Sequence, residues 1–517
     1  GDPEKDALLK CGMKTGPDAG LLWAIAQLRV FKAVGAPDTL LHVSTAAEDR
    51  RGAALQDALL FKKLLAMFPE AKVSGSSLDT EEAGITNTRS AVSGLALRMG
   101  KGSPLNEEWR AAFRLLMADL NWKDRVERLA GAADRALPPP RLPSGKTLLP
   151  RRVSVSRLET YAACPFKYFV RYALAPVERE RPEWTPLHAG AFAHEAMELF
   201  ARRLMRSGKD VAALADAEIE TAIGDVLRQV TERAVGSLPE GDAKPRYWAG
   251  RLGRTVRFCA WLLVEQLRAS DFVLEDVELE LPEGACIEAA GARVPLIGRI
   301  DRVDVLRCGG KTVLRLVDYK SSGRRLDYHE VYHGLSLQLP LYAHALLQNG
   351  AKRGEDVEIG GMMFFTLDVP VPESQARDEA GANAEIKRAL RLKGKVHADM
   401  DILTSMDRTL LPGASAAHIP ARRKRDGALV KSGDALDAAG MRLLIGRAAK
   451  MAARIVSALK EGVIAPRPVQ IRNEKHCGLC EYRSVCRFDE AFPGARPRRV
   501  ATMTKDEFFA RLAGEEG

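Results

Sequence analysis

Residues 297–302 read Ile297-Gly298-Arg299-Ile300-Asp301-Arg302, and residues 316–320 read Leu316-Val317-Asp318-Tyr319-Lys320. Between them lies Gly309-Gly310. The flanking stretches, Val294 to Leu306 and Thr312 to Lys320, carry the period of two expected of strands. A two-residue glycine loop suits a tight hairpin. Cys308 then pairs with Lys311, and counting outward sets Asp301 opposite Asp318 on one side of the sheet. Such partners hold their Cβ atoms about 4.5–5.5 Å apart. Lys320, two residues beyond Asp318, projects from the same face. Two carboxylates face to face destabilise a sheet unless a cation lies between them. Lys320 alone is one candidate counter-ion. Mg²⁺ or Mn²⁺, held by carboxylate oxygens, is the other.

Around this hairpin the sequence reads as an α/β unit. A strand is expected from Phe272 to Leu281, a helix at about 333–348 and a strand at about 357–367. Upstream, Ser156-Arg157-Leu158-Glu159 has the pattern of a capping box. An aromatic helix follows from Tyr161 to Leu174, which Pro165 must distort. Further helices are expected from Leu187 to about Leu204, near 212–236, near 250–269 and at about 436–461. Residues 372–434 read as charged and irregular. His194 falls on a helix, with Glu198 one turn on. Gln338 and Tyr342, four apart, share a helix face.

The chain has 517 residues, 46% of them hydrophobic and 28% charged, enough for roughly three domains. That apolar content excludes disorder as the main state, and no apolar run reaches the length of a membrane span. Four regions are expected: a mostly helical region 1–136, a proline-rich linker 137–152, an α/β domain 153–490, and a basic tail with a short helix over 491–517. The first residues, Gly1-Asp2-Pro3, lack an initiator Met and a signal region, so the sequence reads as a piece of a longer, cytoplasmic chain. Residues 391–517 hold 24 basic against 15 acidic side chains, including Arg422-Arg423-Lys424-Arg425. Such a patch attracts polyanions, although a solvated basic face explains the charge equally well. Gly145-Lys146-Thr147 imitates a phosphate-binding loop, but Pro140 stands where that motif needs glycine, so the tripeptide is a decoy.

Eight cysteines are too sparse for a secreted disulfide scaffold. Cys477-x₂-Cys480-x₅-Cys486 supplies three thiolates of a metal or cluster site, and a fourth is needed. Cys11, Cys164, Cys259, Cys286 and Cys308 are the candidates.

In this order, the helix with His194, the strand with Asp301, the strand with Asp318-Tyr319-Lys320 and the helix with Gln338 and Tyr342 resemble the RecB-like branch of the PD-(D/E)xK nuclease superfamily. The resemblance implies a restriction-endonuclease-like core, a mixed sheet flanked by helices, behind a helical N-terminal region. It implies that His194, Asp301, Asp318 and the Tyr319 carbonyl ligate the divalent metal. Lys320 would activate the attacking water, and Gln338 and Tyr342 would position DNA or brace the site. The family often places a Glu on the preceding strand, here Glu278 or Glu280; spacing does not choose between them. One cysteine before these motifs and three after them resembles the iron–sulfur nucleases, namely AddB-type subunits and Cas4-like and Dna2-like enzymes. The implied ligands of a [4Fe–4S] cluster are Cys164, Cys477, Cys480 and Cys486, with zinc as the rival metal. The helical preface favours the AddB type. That implies a Mg²⁺-dependent DNA exonuclease or endonuclease module without an ATP site. It would pair with an AddA-type helicase-nuclease subunit as a heterodimer and process DNA double-strand breaks for homologous recombination. The alternatives are a stand-alone Cas4-like or Dna2-like exonuclease and a DNA-binding scaffold with a vestigial site.

Overall fold

The computed structural model describes residues 10, 19–45, 55–71, 85, 87–100, 104–133, 141–177, 186–236, 243–370, 379–472, 474–478, 480–488 and 495–516. The chain forms two compact units, residues 1–134 and 135–517.

In the first unit, helices Thr88–Gly100, Glu107–Ala118 and Lys123–Ala133 pack around Leu95, Trp109, Leu116 and Val126. Asn106 starts the middle helix, its side chain accepting the Trp109 N–H at 3.1 Å. The apolar run near 59–68 forms helix Leu59–Met67, which buries no side chain.

The second unit is built on a six-stranded sheet of β1 (Val273–Glu280), β2 (Arg299–Cys308), β3 (Lys311–Lys320), β4 (Val357–Thr366), β5 (Lys393–His397) and β6 (Ala435–Leu436). The strands lie in that order across the sheet, and β3–β4 and β5–β6 are its parallel pairs. Gly309 and Gly310 both have positive φ, 56° and 79°, as a tight hairpin turn requires. The β2–β3 register runs from Cys308 opposite Lys311 to Arg302 opposite Val317, so the next pair outward is Asp301 and Asp318.

Each face of the sheet is covered. On one lie α1 (Val155–Ala163), α5 (Gln338–Arg353) and α6 (Ala438–Lys460), packed on Val303, Leu316 and Phe364. On the other lie α2 (Pro186–Arg206), α3 (Asp216–Gly236) and α4 (Ala243–Arg268), packed on Val317, Tyr319 and Phe365. Burying such side chains stabilises the fold by about 1.5–3 kcal/mol each.

Five expectations need correction. The strand expected over Val294 to Leu306 is two strands. Ala292–Ile297 joins a separate three-stranded sheet with Cys286–Ala289 and Val153–Ser154, and β2 starts after Gly298. A Cβ on Gly298 would lie 2.7 Å from the Tyr342 hydroxyl, so glycine lets the chain cross against α5. Ser156-Arg157-Leu158-Glu159 is not a capping box. The helix begins at Val155, and Ser154, at the cap position, makes no side-chain cap bond. Part of the expected linker is docked rather than free: the N–H groups of Leu142 and Leu148 bond to the carbonyls of Gly462 and Leu459 at the end of α6. Residues 134–140 lie outside the described residues. The stretch 372–434 holds helix Glu379–Ala389, β5 and helix Met400–Met406; β5 escapes notice because it is five residues long and carries two lysines and a glycine. Finally, the C-terminal stretch is not a tail. Strand Arg498–Val500 pairs in parallel with Val469–Ile471, and α7 (Lys505–Glu516) buries Phe508 and Leu512 in the main core.

Candidate active site

Three carboxylates stand side by side at one end of the sheet, on β1, β2 and β3. The β1–β2 register pairs Val277 with Arg302 and Leu279 with Ile300, which sets Glu278 against Asp301. Glu278 has φ +53°, a conformation that interrupts the ladder there. Its ion pair with Arg299 spans 3.7 Å. Glu280, by contrast, is 83% exposed on its side chain and meets only Arg299. The structure thus separates the two glutamates that spacing left open.

His194 arrives from α2. Its Nδ1 lies 3.6 Å from Asp301 Oδ2, and its ring meets the Tyr319 ring edge-on at 5.9 Å. Among the described residues, His194, Glu278 and Asp301 offer ligand atoms that all lie within 4.8 Å of one another. Asp301 Oδ2 also accepts the Tyr319 N–H at 2.6 Å. Asp318, on the neighbouring strand, is 1% exposed. Its Oδ1 accepts from Gln338 Nε2 at 2.5 Å, while its Oδ2 faces the Lys320 ammonium with no aligned donor. Lys320 Nζ in turn donates to Gln338 Oε1 at 2.9 Å. Tyr342, one turn along α5, is buried with its hydroxyl toward Gln338.

The electrostatics follow from crowding acids out of water. Burial, and then the Asp318 carboxylate, push Asp301 well above the usual carboxylate range. Burial raises Asp318 too, against the pull of Lys320. Glu278 is raised by burial and then by the nearby Glu198. Burial lowers His194, which favours the neutral imidazole, the form that binds a metal ion. The acids thus form a cavity of excess negative charge that only a cation or bound protons relieve. Its donor set of hard oxygens with one imidazole fits Mg²⁺ or Mn²⁺.

One residue of this centre is not legible locally. Glu159, at the middle of α1, points across to α5, where its Oε1 accepts the N–H groups of Leu337 at 2.7 Å and Gln338 at 3.2 Å. It shares with the site only its contact in space; no spacing rule links position 159 to 338.

Cys164 ends α1, where its extended backbone (φ −167°) breaks the helix and Pro165 starts the next turn. Cys164, Cys477, Cys480 and Cys486 line one cavity with Phe166, His476 and Phe488. Phe166, Lys167 and Arg467 direct backbone N–H groups at the Cys164 sulfur. Burial, then the three other thiols, push Cys477 up to about 11. Cys259 is fully buried under the opposite sheet face, and Cys286 and Cys308 lie on strands elsewhere. Cys11 lies outside the described residues.

Residues 152–487 match the model of the PD-(D/E)XK nuclease superfamily. The chain is 32% identical, over 99% of its length, to the AddB component of an ATP-dependent helicase/deoxyribonuclease from Moorella thermoacetica. It is 27% identical over 100% of its length to the protein of that name from Caldanaerobacter subterraneus, and 28% identical over 100% to that of Acetivibrio thermocellus. It spans 46% of each of these relatives, about half their length. Among the described residues no helix is long and apolar enough to cross a membrane. The clustered acids, the lysine beside them and the matched span agree: this chain belongs to the PD-(D/E)XK nuclease superfamily.

Proposed function

We propose that this chain is the nuclease-bearing part of an AddB-type component of an ATP-dependent helicase–nuclease. It cuts one strand of DNA as a motor unwinds a double-strand break, preparing the end for homologous recombination in the cytoplasm. The observation that carries this reading is the convergence of Glu278, Asp301, Asp318 and His194 around one point, with Lys320 fixed beside it. Mg²⁺ or Mn²⁺, when bound, supplies polarisation of the scissile phosphate and a lower pKa for the attacking water. His194, Asp301, Asp318 and the Tyr319 carbonyl would hold that ion, with Glu278 joining them. Lys320, gripped by Asp318 and Gln338, orients the water and neutralises charge building on the phosphate. Gln338 keeps Asp318 and Lys320 in register, and Tyr342 braces Gln338 from below.

The relatives' name supports a motor-carrying, AddA-type partner, because the phosphate-loop imitation at 145–147 leaves this chain without that ATP site. The Cas4-like or Dna2-like alternative is disfavoured, since likeness to the AddB proteins runs over 99% of the chain.

The four cysteines suit a [4Fe–4S] cluster better than zinc. Among the described residues no three of their sulfurs fall within 4.8 Å of one another. Tetrahedral zinc at about 2.3 Å from each sulfur would hold them about 3.8 Å apart. Such a group would act as a staple, joining α1 to a segment more than 300 residues later and closing a long loop.

The test is cleavage of single-stranded DNA with Mg²⁺. Asp318→Ala and Lys320→Ala each lower the rate by about 10²-fold or more while DNA binding survives. Unchanged cleavage in both variants would exclude the site.

A further inference from the structure

We infer that Glu159 is a positioning residue of the nuclease centre: its carboxylate fixes the start of α5 and thereby aims Gln338 at Asp318 and Lys320. The inference rests on the nuclease reading above and adds to it a residue from an element outside the sheet.

Three contacts in series carry it. Glu159 Oε1 accepts from Leu337 N and Gln338 N at 2.7 and 3.2 Å. Those N–H groups open α5 and have no partner within the helix. Leu337, at the cap position, has no oxygen in its side chain and makes no side-chain cap bond, so no local residue does this work. The Gln338 side chain then touches both reacting-site groups, donating to Asp318 Oδ1 at 2.5 Å and accepting from Lys320 Nζ at 2.9 Å. An amide satisfied on both sides has one useful orientation. Its backbone is set by Glu159, so a shift at that contact moves both ends of the Asp318–Lys320 bridge together. Around Glu159, Arg324 and Lys320 supply positive charge that helps keep a carboxylate tolerable there. Glu330 is the nearby acid, and it too faces Arg324.

The position of Glu159 also ties two parts of the fold. It lies on α1, five residues before Cys164, while its acceptor contact lies on the helix that braces the nuclease centre. Whatever anchors the end of α1 therefore holds the carboxylate in place.

The experiment measures kcat and KM for cleavage of a single-stranded oligonucleotide with Mg²⁺, using the full chain. Glu159→Gln keeps an acceptor oxygen at the same reach and is expected to retain near wild-type kcat. Glu159→Asp keeps the charge but withdraws the acceptor by one methylene, and kcat should fall about ten-fold with KM unchanged. In a Gln338→Ala background Glu159→Asp should cost nothing further, because the two residues act in one chain of contacts. The reverse order, with Gln impaired and Asp intact, would show a charge effect on Lys320 and overturn the inference. So would full additivity of Glu159→Asp with Gln338→Ala, or a loss appearing only in KM. Asp318→Ala serves as the separate control. If it leaves cleavage intact, the nuclease reading of the site fails; if it abolishes cleavage while Glu159→Asp is silent, only the role of Glu159 fails.

Discussion

Replacing Glu278 with glutamine should stabilise the metal-free protein and weaken its response to a divalent ion. The carboxylate oxygens of Glu278 and Asp301 lie within 4.8 Å of each other. Two full charges at that distance repel by about 3.5 kcal/mol at an effective dielectric of about 20. The Arg299 pairing lost with the substitution spans 3.7 Å, and Arg299 is 62% exposed, so it offsets only about 0–1 kcal/mol. Glu278→Gln should therefore gain about 1–3 kcal/mol at pH 8 in EDTA. The sign with pH follows from the direction of the shifts. Both carboxyls are raised in the fold, so they bind protons more readily there than in the unfolded chain. Their repulsion is fully present above the raised values and disappears as pH falls through them. The advantage of the variant should thus vanish below about pH 4, near the ordinary carboxyl range. With Mg²⁺ or Mn²⁺ the order should reverse. A ligand at a hundred times its Kd adds about 2.7 kcal/mol to the wild type, and a variant missing one ligand oxygen should gain less. The assay is denaturation of the full chain, with EDTA and with the divalent ion, alongside cleavage. A variant destabilised equally in both conditions, with a full divalent response and full cleavage, would refute the placement of Glu278 in the metal site.

Other expectations are more local. The purified protein should be brown and contain iron and acid-labile sulfide, and Cys164→Ser should lose the colour and lower the melting temperature of the nuclease unit; a colourless protein with one zinc per chain would overturn the cluster. Gly298→Ala should destabilise by about 1–3 kcal/mol, because the new methyl would lie 2.7 Å from the Tyr342 hydroxyl; an unchanged urea midpoint would contradict that packing. His333 lies beside Arg498, Arg447 and Arg511, and burial followed by these cations pushes its pKa down to about 4. A depressed base costs stability as pH falls from about 6.5 toward that value, so His333→Asn should lose less stability than the wild type over that window. Parallel pH profiles for the two proteins would contradict this.

Much of the centre is legible because its cause is local. A glycine pair at positive φ, flanked by strands of period two, can pair in one register, and that register alone places Asp301 against Asp318 and Lys320 beside them. The helix spacing of Gln338 and Tyr342 works the same way. Glu278 is not legible in this way, because β1 and β2 are joined through an excursion into another sheet and no tight turn sets their register. The split of one expected strand at Gly298 depends on Tyr342, forty-four residues later, which no window of sequence contains.

The sequence by itself therefore determined the short-range geometry of the hairpin, the residue types gathered there and the order of helices and strands. Turn chemistry and periodicity act over a few residues and tolerate few alternatives. Tertiary structure alone decided that Glu278 rather than Glu280 joins the acids. It also decided that Glu159 caps a helix 178 residues away, and that four scattered cysteines line one cavity. Those outcomes depend on which surfaces are buried together. Burial is a property of the whole packed core, where a carboxylate finds its donor by proximity in space and not along the chain.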